Sequence, residues 1–258
     1  MAEFTLLERR REGEVEYLVL NRPERRNALN EHLIAEMTAW AAHATQDAEL
    51  RAVVLSGAGT VFCAGADLAW MSTMAANTYE ENIRDAAAAA AMFAALNSLP
   101  VPVIARVHGA AMGGGAGLVA VADIAVAAPD AAFGFTEVKL GLLPAIIAPY
   151  VLAKIGQSPA RGLFLTGRRF TAERAREIGL VHAVVPGDRL DHAVQEFVDD
   201  ILDGGGQAIA AAKAMIRRLP GRSADEATQL SVEAIAAQRA TAEARERMKA
   251  FLTRHSGH

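Results

Sequence analysis

The residues best suited to chemistry lie in two glycine-rich segments. The first reads Leu55-Ser-Gly-Ala-Gly-Thr-Val-Phe-Cys-Ala-Gly-Ala-Asp67, and the second His108-Gly-Ala-Ala-Met-Gly-Gly-Gly-Ala-Gly-Leu118. Each follows an apolar strand-like run and leads into a helical one. A turn so placed aims unpaired backbone N–H groups at a ligand, with the helix dipole behind them. Glycine lets that ligand approach the main chain closely. A dinucleotide fingerprint is incomplete, because Gly57 and Gly59 are followed by Phe62 where a third small residue should stand. No Gly-Lys-Ser or Gly-Lys-Thr sequence occurs, so a P-loop is excluded. Two readings stay open. In one, an N–H from each turn converges on an oxygen that gains negative charge during reaction. In the other, the glycines only let helices pack closely on strands.

Composition narrows the setting. The 258 residues carry 26 Lys+Arg against 30 Asp+Glu, a net charge of −4, with 52% hydrophobic and 22% charged residues. That is an ordinary globular composition, long enough for a large core. Its mild acidity gives no electrostatic reason to expect nucleic acid or an anionic membrane. The single cysteine, Cys63, forms no internal disulfide and has no evident activating neighbour, which suits a buried small residue. The N-terminal Met-Ala-Glu-Phe-Thr lacks the basic-then-apolar order of a secretory signal, and no run reaches membrane-span length. A cytoplasmic protein without membrane partners is the expectation.

The elements that must position the two turns follow from periodicity. Glu14 to Leu20 alternates as a strand, with Val15, Tyr17 and Val19 on one face. Asn30 is placed to cap a helix reaching Asp47. Ala52–Ser56, Val103–Val107 and Ile124–Ala128 read as buried strands, and Val181–Val185 as a last short one. Thr78-Tyr-Glu-Glu81 and Ser223-Ala-Asp-Glu226 are capping boxes, and Ser158-Pro159 reads as an N-cap followed by proline at the first helical position. Strands separated by helices predict an α/β body over residues 1–200. A helical region is predicted over 201–258.

Several motifs, in this order and spacing, resemble the crotonase superfamily, the enoyl-CoA hydratase/isomerase family, over nearly the whole chain. They are Asn21-Arg-Pro23 with Asn27-Ala-Leu-Asn30, Phe62-Cys-Ala-Gly-Ala-Asp67, and Ala105-Arg-Val-His-Gly109 with Gly113-Gly-Gly115. Phe133-Gly-Phe-Thr-Glu137, Leu140-Gly-Leu-Leu-Pro144, and Leu165-Thr-Gly167 with Gly179-Leu-Val181 complete the set. The resemblance implies a crotonase-like spiral of ββα turns and a C-terminal helical region that makes a homotrimer or a dimer of trimers. It also implies an acyl-CoA substrate, with no metal and no cofactor beyond the substrate's own coenzyme A.

By the same resemblance, the amides of Ala64 and Gly114 hold the thioester oxygen and Glu137 is the acid/base. Coenzyme A is expected near Arg25, Ala28, Ala66, Asp67 and Leu68, with Phe251 and Arg254 reaching a neighbouring subunit's ligand. Family hydratases commonly carry a second glutamate three residues after Gly114, where this chain has Gly117. That leaves hydration by Glu137 with water held otherwise, a single-glutamate double-bond isomerase, or a non-catalytic CoA-binding or RNA-binding relative. Asp67-Leu-Ala-Trp-Met71 and the Leu140–Tyr150 stretch resemble the methylglutaconyl-CoA or isohexenylglutaconyl-CoA hydratase branch, hence a branched or dicarboxylic acyl group in fatty-acid or branched-chain amino-acid metabolism. A second carboxylate would need a polar partner, for which Lys139, His108, Tyr79 and Tyr150 qualify by type. His108, beside Gly109, better suits a structural role. Trp70 and Met71 would either line the acyl pocket or pack in the core.

Overall fold

A computed structural model describes residues 4–74 and 76–255. The chain opens with β1 (Leu7–Glu12) and β2 (Val15–Leu20), then α1 (Glu31–Gln46), β3 (Ala52–Gly57), α2 (Leu68–Met74) and α3 (Tyr79–Ser98). Strands then come in pairs. β4 (Val103–Val107) and β5 (Ala110–Met112) precede α4 (Gly114–Val121), and β6 (Ile124–Ala127) and β7 (Ala132–Gly134) precede α5 (Ala148–Ile155) and α6 (Gln157–Thr166). The rest is β8 (Arg169–Thr171), α7 (Ala172–Glu177), β9 (Ala183–Val184), α8 (Leu190–Asp203), α9 (Gly206–Arg218), α10 (Ala224–Arg239) and α11 (Ala242–His255).

Within each pair the first strand joins one sheet and the second another. The large sheet has the order β1-β2-β3-β4-β6-β9 and the small one β5-β7-β8. From β2 to β9 the neighbours of the large sheet are parallel, with Val54 opposite Ile104 and Ile104 opposite Ile124. The chain therefore winds as repeated ββα turns, the spiral that the motifs led us to expect.

A parallel sheet is covered on both faces. Leu18, Leu20, Val53 and Leu55 share one core with Leu33, Met37 and Trp40 of α1 and Phe93 of α3. Val15, Val54, Ile104 and Val126 pack on the other side against Leu190, Val194 and Val198 of α8. The alternation read in β2 is thus a division between two cores. Glu16, on the α1 side, is buried and receives hydrogen bonds from Arg9 and from the Trp40 indole at 3.1 Å.

Local signals account for most element ends. The Asn30 carboxamide accepts from Leu33 N–H at 3.0 Å, and both capping boxes form at Thr78/Glu81 and Ser223/Glu226. The Ser158-Pro159 reading is corrected: α6 starts two residues earlier, with Gly156 as its N-cap, whose φ of +74° makes a sharp corner after α5. The last strand shortens to Ala183–Val184, and residue 200 lies within α8. Among the described residues, no helix is long and apolar enough to cross a membrane.

Candidate active site

A cavity of about 160 Å³ opens between α3, the start of α4 and the segment 143–147. Its apolar walls come from Leu29, Trp70, Phe93, Pro144 and Ile147, and Ala66, Gly114 and Glu137 bring its polar groups. Glu137 opens a 3-10 turn that Phe135 and Thr136 separate from β7. Its Oε2 is buried with no hydrogen-bond partner among the described residues, and a Cβ on Gly113 would lie 3.1 Å from its Oε1. Burial raises the carboxyl above its ordinary pKa, and only its own backbone N–H opposes that. A carboxylate left so is poised to exchange protons with something in the cavity.

The two glycine-rich turns meet here. Gly113, at φ +50°, donates to Gly134 O at 2.8 Å and starts α4, so Gly114 N–H has no acceptor within its helix. In the first turn Cys63 N–H donates to Ala110 O, and Ala64 N–H donates to Arg26 O at 3.0 Å. The expectation that Ala64 offers a free amide is therefore corrected, since its donor is already committed. Gly65, at φ +96°, then turns the chain. Leu29 bonds across to Gly65 O at 2.7 Å and to Asp67 N–H at 2.8 Å, an isolated parallel bridge centred on Ala66. In such a bridge Ala66's own N–H points away from Leu29. It makes no hydrogen bond among the described residues, and Ala66 lines the cavity with Gly114 and Glu137.

A polar clamp fixes that loop. Arg22 pairs with Asp67 Oδ2 at 2.9 Å and donates to Ala28 O. Asn27, at φ +54°, accepts from Arg22 N–H at 2.9 Å and donates to Ala58 O and Val61 O at 2.8 and 2.9 Å. Asp67 Oδ1 accepts from Ala69 N–H at 2.8 Å and so starts α2. Burial alone would raise the Asp67 pKa, but Arg22 and the Ala69 and Trp70 amides hold it below the ordinary range. Sequence reasoning passed over Arg22 and Asn27 as site-building residues. Both stand inside the motifs quoted above, and their place there was the signal available.

The other expected site residues fall outside the cavity wall. Arg25 is exposed, Leu68 is 78% exposed, and Ala28 is buried with N–H and C=O both bonded. Asp67 has its carboxylate engaged by Arg22 and its N–H by Leu29. Phe251 and Arg254 sit exposed on α11. Of the polar partners considered for a charged acyl group, Lys139 and Tyr79 are exposed, and His108 Nε2 lies 3.1 Å from Gly59 O. Tyr150 packs its ring on Phe93 with centroids 6.1 Å apart. Cys63 is fully buried, which pushes its thiol up to about 12 and away from nucleophilic use. Trp70 is half-buried in the cavity wall, while Met71 is absent from that lining.

Comparison with known proteins gives the family. Residues 10–258 match the family profile described as enoyl-CoA hydratase/isomerase. The chain belongs to the enoyl-CoA hydratase/isomerase family. A short-chain-enoyl-CoA hydratase of Clostridium acetobutylicum is 34% identical over 244 residues, covering 94% of this chain and 92% of the relative. The crystal structure of an enoyl-CoA hydratase from Shewanella pealeana superposes with a TM-score of 0.94 at 36% identity, covering 98% of this chain and 95% of that one. One from Mycobacterium smegmatis gives 0.92 at 33%, covering 97% of each. The ββα spiral is thus the crotonase fold of this family, and acyl-CoA thioesters are the substrate class the family implies.

Proposed function

We propose that this family member hydrates an α,β-unsaturated acyl-CoA, with the Ala66 and Gly114 amides holding the thioester oxygen and Glu137 as acid/base. The reading is carried by one observation: a carboxylate oxygen without a partner, in the same cavity as two amides without acceptors, among the described residues. Addition of water across the conjugated double bond drives charge onto the thioester oxygen. Fixed amide donors in an apolar cavity stabilise that charge, each by about 3–4 kcal/mol in comparable sites. The acyl group is uncharged, straight or branched. A distal carboxylate, as in a glutaconyl chain, would find no cationic side chain among the described residues that line the cavity.

Coenzyme A runs past Arg25 and the 66–68 segment, a path supported by the Arg26–Ala64 and Leu29–Ala66 contacts, which join these two stretches of chain. Arg25 meets phosphate there, and Ala28, Asp67 and Leu68 shape the backbone. Exposed Ile216, Val232, Ile235, Met248, Phe251 and Leu252 on α9–α11 support a homotrimer or dimer of trimers, with Phe251 and Arg254 near a neighbour's ligand. A cavity lined by one ionisable side chain among the described residues also favours a second reading, double-bond isomerisation by Glu137 alone.

Mass spectrometry and ultraviolet absorbance on crotonyl-CoA and trans-2-hexenoyl-CoA decide between them. Hydration adds one water and abolishes the conjugated-thioester absorbance; isomerisation conserves mass. Failure to convert any enoyl-CoA, or full activity in Glu137→Gln, overturns both readings.

A further inference from the structure

We propose that Glu137 performs both proton transfers of the hydration alone, and that Ile147 enforces this by closing the place from which a second group would act. The inference rests on the hydratase reading and adds how the site divides its labour.

Gly114 and Gly117 are one helical turn apart and share a face of α4. A side chain at 117 would therefore project beneath the amide that holds the thioester. That direction is blocked. A Cβ built on Gly117 would lie 2.3 Å from Ile147 Cγ2 and 3.1 Å from Phe93 Cε1, and the methyl-bearing atom Cβ of Ile147 stands 3.0 Å away. Ile147 does not yield easily: it is 3% exposed, and it belongs to a segment braced by Ala145 N–H on Leu143 O and Ala148 N–H on Pro144 O.

The titratable groups on the surrounding elements are turned to other tasks. Lys139, on the turn of Glu137, and Arg161 of α6 are exposed. Tyr150 of α5 lies against Phe93, Asp85 of α3 accepts from Asn77 at 3.0 Å, and Asp67 is held by Arg22. Among the described residues, the ionisable group lining the cavity is Glu137.

One carboxylate suffices if it acts twice. Glu137 takes a proton from water as the water oxygen bonds to Cβ, and the alkene pair moves through the conjugated system onto the thioester oxygen at the two amides. The enolate then re-forms the carbonyl as Cα takes that proton from Glu137. The carboxylate is regenerated, one water is consumed and no net proton is exchanged.

The pH dependence of kcat on crotonyl-CoA tests this, because a second essential group would add a second ionisation. The expected profile falls only toward acid, where Glu137 is protonated and cannot accept, and is flat above. A bell-shaped profile overturns the inference while leaving hydratase activity standing. Retained activity in Glu137→Gln instead overturns the functional reading itself. Variants probe Ile147 directly. Gly117→Glu alone is expected to lower the Tm, whereas Gly117→Glu with Ile147→Gly regains it and acquires a second limb in the profile. A Gly117→Glu protein with wild-type Tm and a higher kcat would show that Ile147 closes nothing. If the double variant fails to fold, the wild-type profile still decides.

Discussion

The two ends of α4 are finished in opposite ways. At its N-terminal end the Gly114 amide has no acceptor in the helix, and Glu137 across the cavity keeps a buried oxygen without a partner among the described residues. At its C-terminal end charged side chains and carbonyls pair with one another. Lys154 Nζ donates to the carbonyls of Ala122 and Asp123, and Asp123 Oδ2 accepts from Lys213 at 2.6 Å and from Val103 N–H at 2.7 Å. Lys213 also donates to Val101 O at 2.9 Å, tying α9 to the strand entrance. Cations at a helix C-terminus are favoured by its dipole, as anions are at the N-terminus. An unmade buried hydrogen bond costs about 1–3 kcal/mol. The fold bears that cost at the end facing the cavity, where a substrate would supply the missing partners, and avoids it at the other.

The sharpest way to break this contrast is Glu137→Gln. Loss of the acid/base group should lower kcat by roughly 10²–10⁴-fold, the usual range for general acid–base catalysis. The Tm should hold or rise, because the variant no longer buries an ionisable oxygen without a partner. The acid side of the stability curve supplies a second signature. With its folded pKa raised, Glu137 keeps its proton longer in the folded state, so stability declines as pH rises through that pKa. Glu137→Gln should flatten this slope. A fall of several degrees in its Tm at neutral pH would make the carboxylate structural.

Asp123→Ala should do the reverse. It strands Lys213 and leaves Val103 N–H unbonded, so a loss of about 3 kcal/mol is expected in denaturant titration, the low end for a broken buried pair because Asp123 is partly exposed. The kcat of the molecules still folded should stay near wild type. If turnover collapses while stability holds, the two ends are coupled rather than divided.

The sequence carried one side of this contrast better than the other. Caps at Asn30, Thr78 and Ser223 and the apolar runs of β3, β4 and β6 were readable because their physics is local. β1 was missed: five of its six residues are charged, and its strand character comes from pairing with β2. β5 and β7 have three residues each, too few to show a period inside glycine-rich turns. Motif matching pointed to Glu137 and Gly114, which line the cavity, and to the Ala64 amide, which is committed to Arg26 O, whereas the Ala66 amide is not. Which of two nearby amides is free depends on the turn at Gly65 and the Leu29 bridge, and no spacing reveals those. Gly117 could be read as a missing side chain, but that Ile147 fills its space is a tertiary fact.

The smallest effect belongs to Lys154. Burial lowers its pKa from the ordinary 10.5 to about 8, with Asp123 opposing the shift and Lys213 adding to it. Below about pH 8 both folded and unfolded chains hold the proton, and the folded state bears the full cost of the buried charge. Between about 8 and 10.5 the unfolded chain binds more protons, so stability should rise with pH across that window. Lys154→Met keeps the apolar stem but removes the amine, leaving the carbonyls of Ala122 and Asp123 without it. Relief of a buried cation and loss of these bonds oppose each other, so the net change at pH 7 should be within about 1 kcal/mol. Thermal melts from pH 7 to 10.5 should show the alkaline rise in the wild type and its absence in Lys154→Met. A rise that persists in the variant would assign it to another group and leave Lys154 as a plain C-terminal cap for α4.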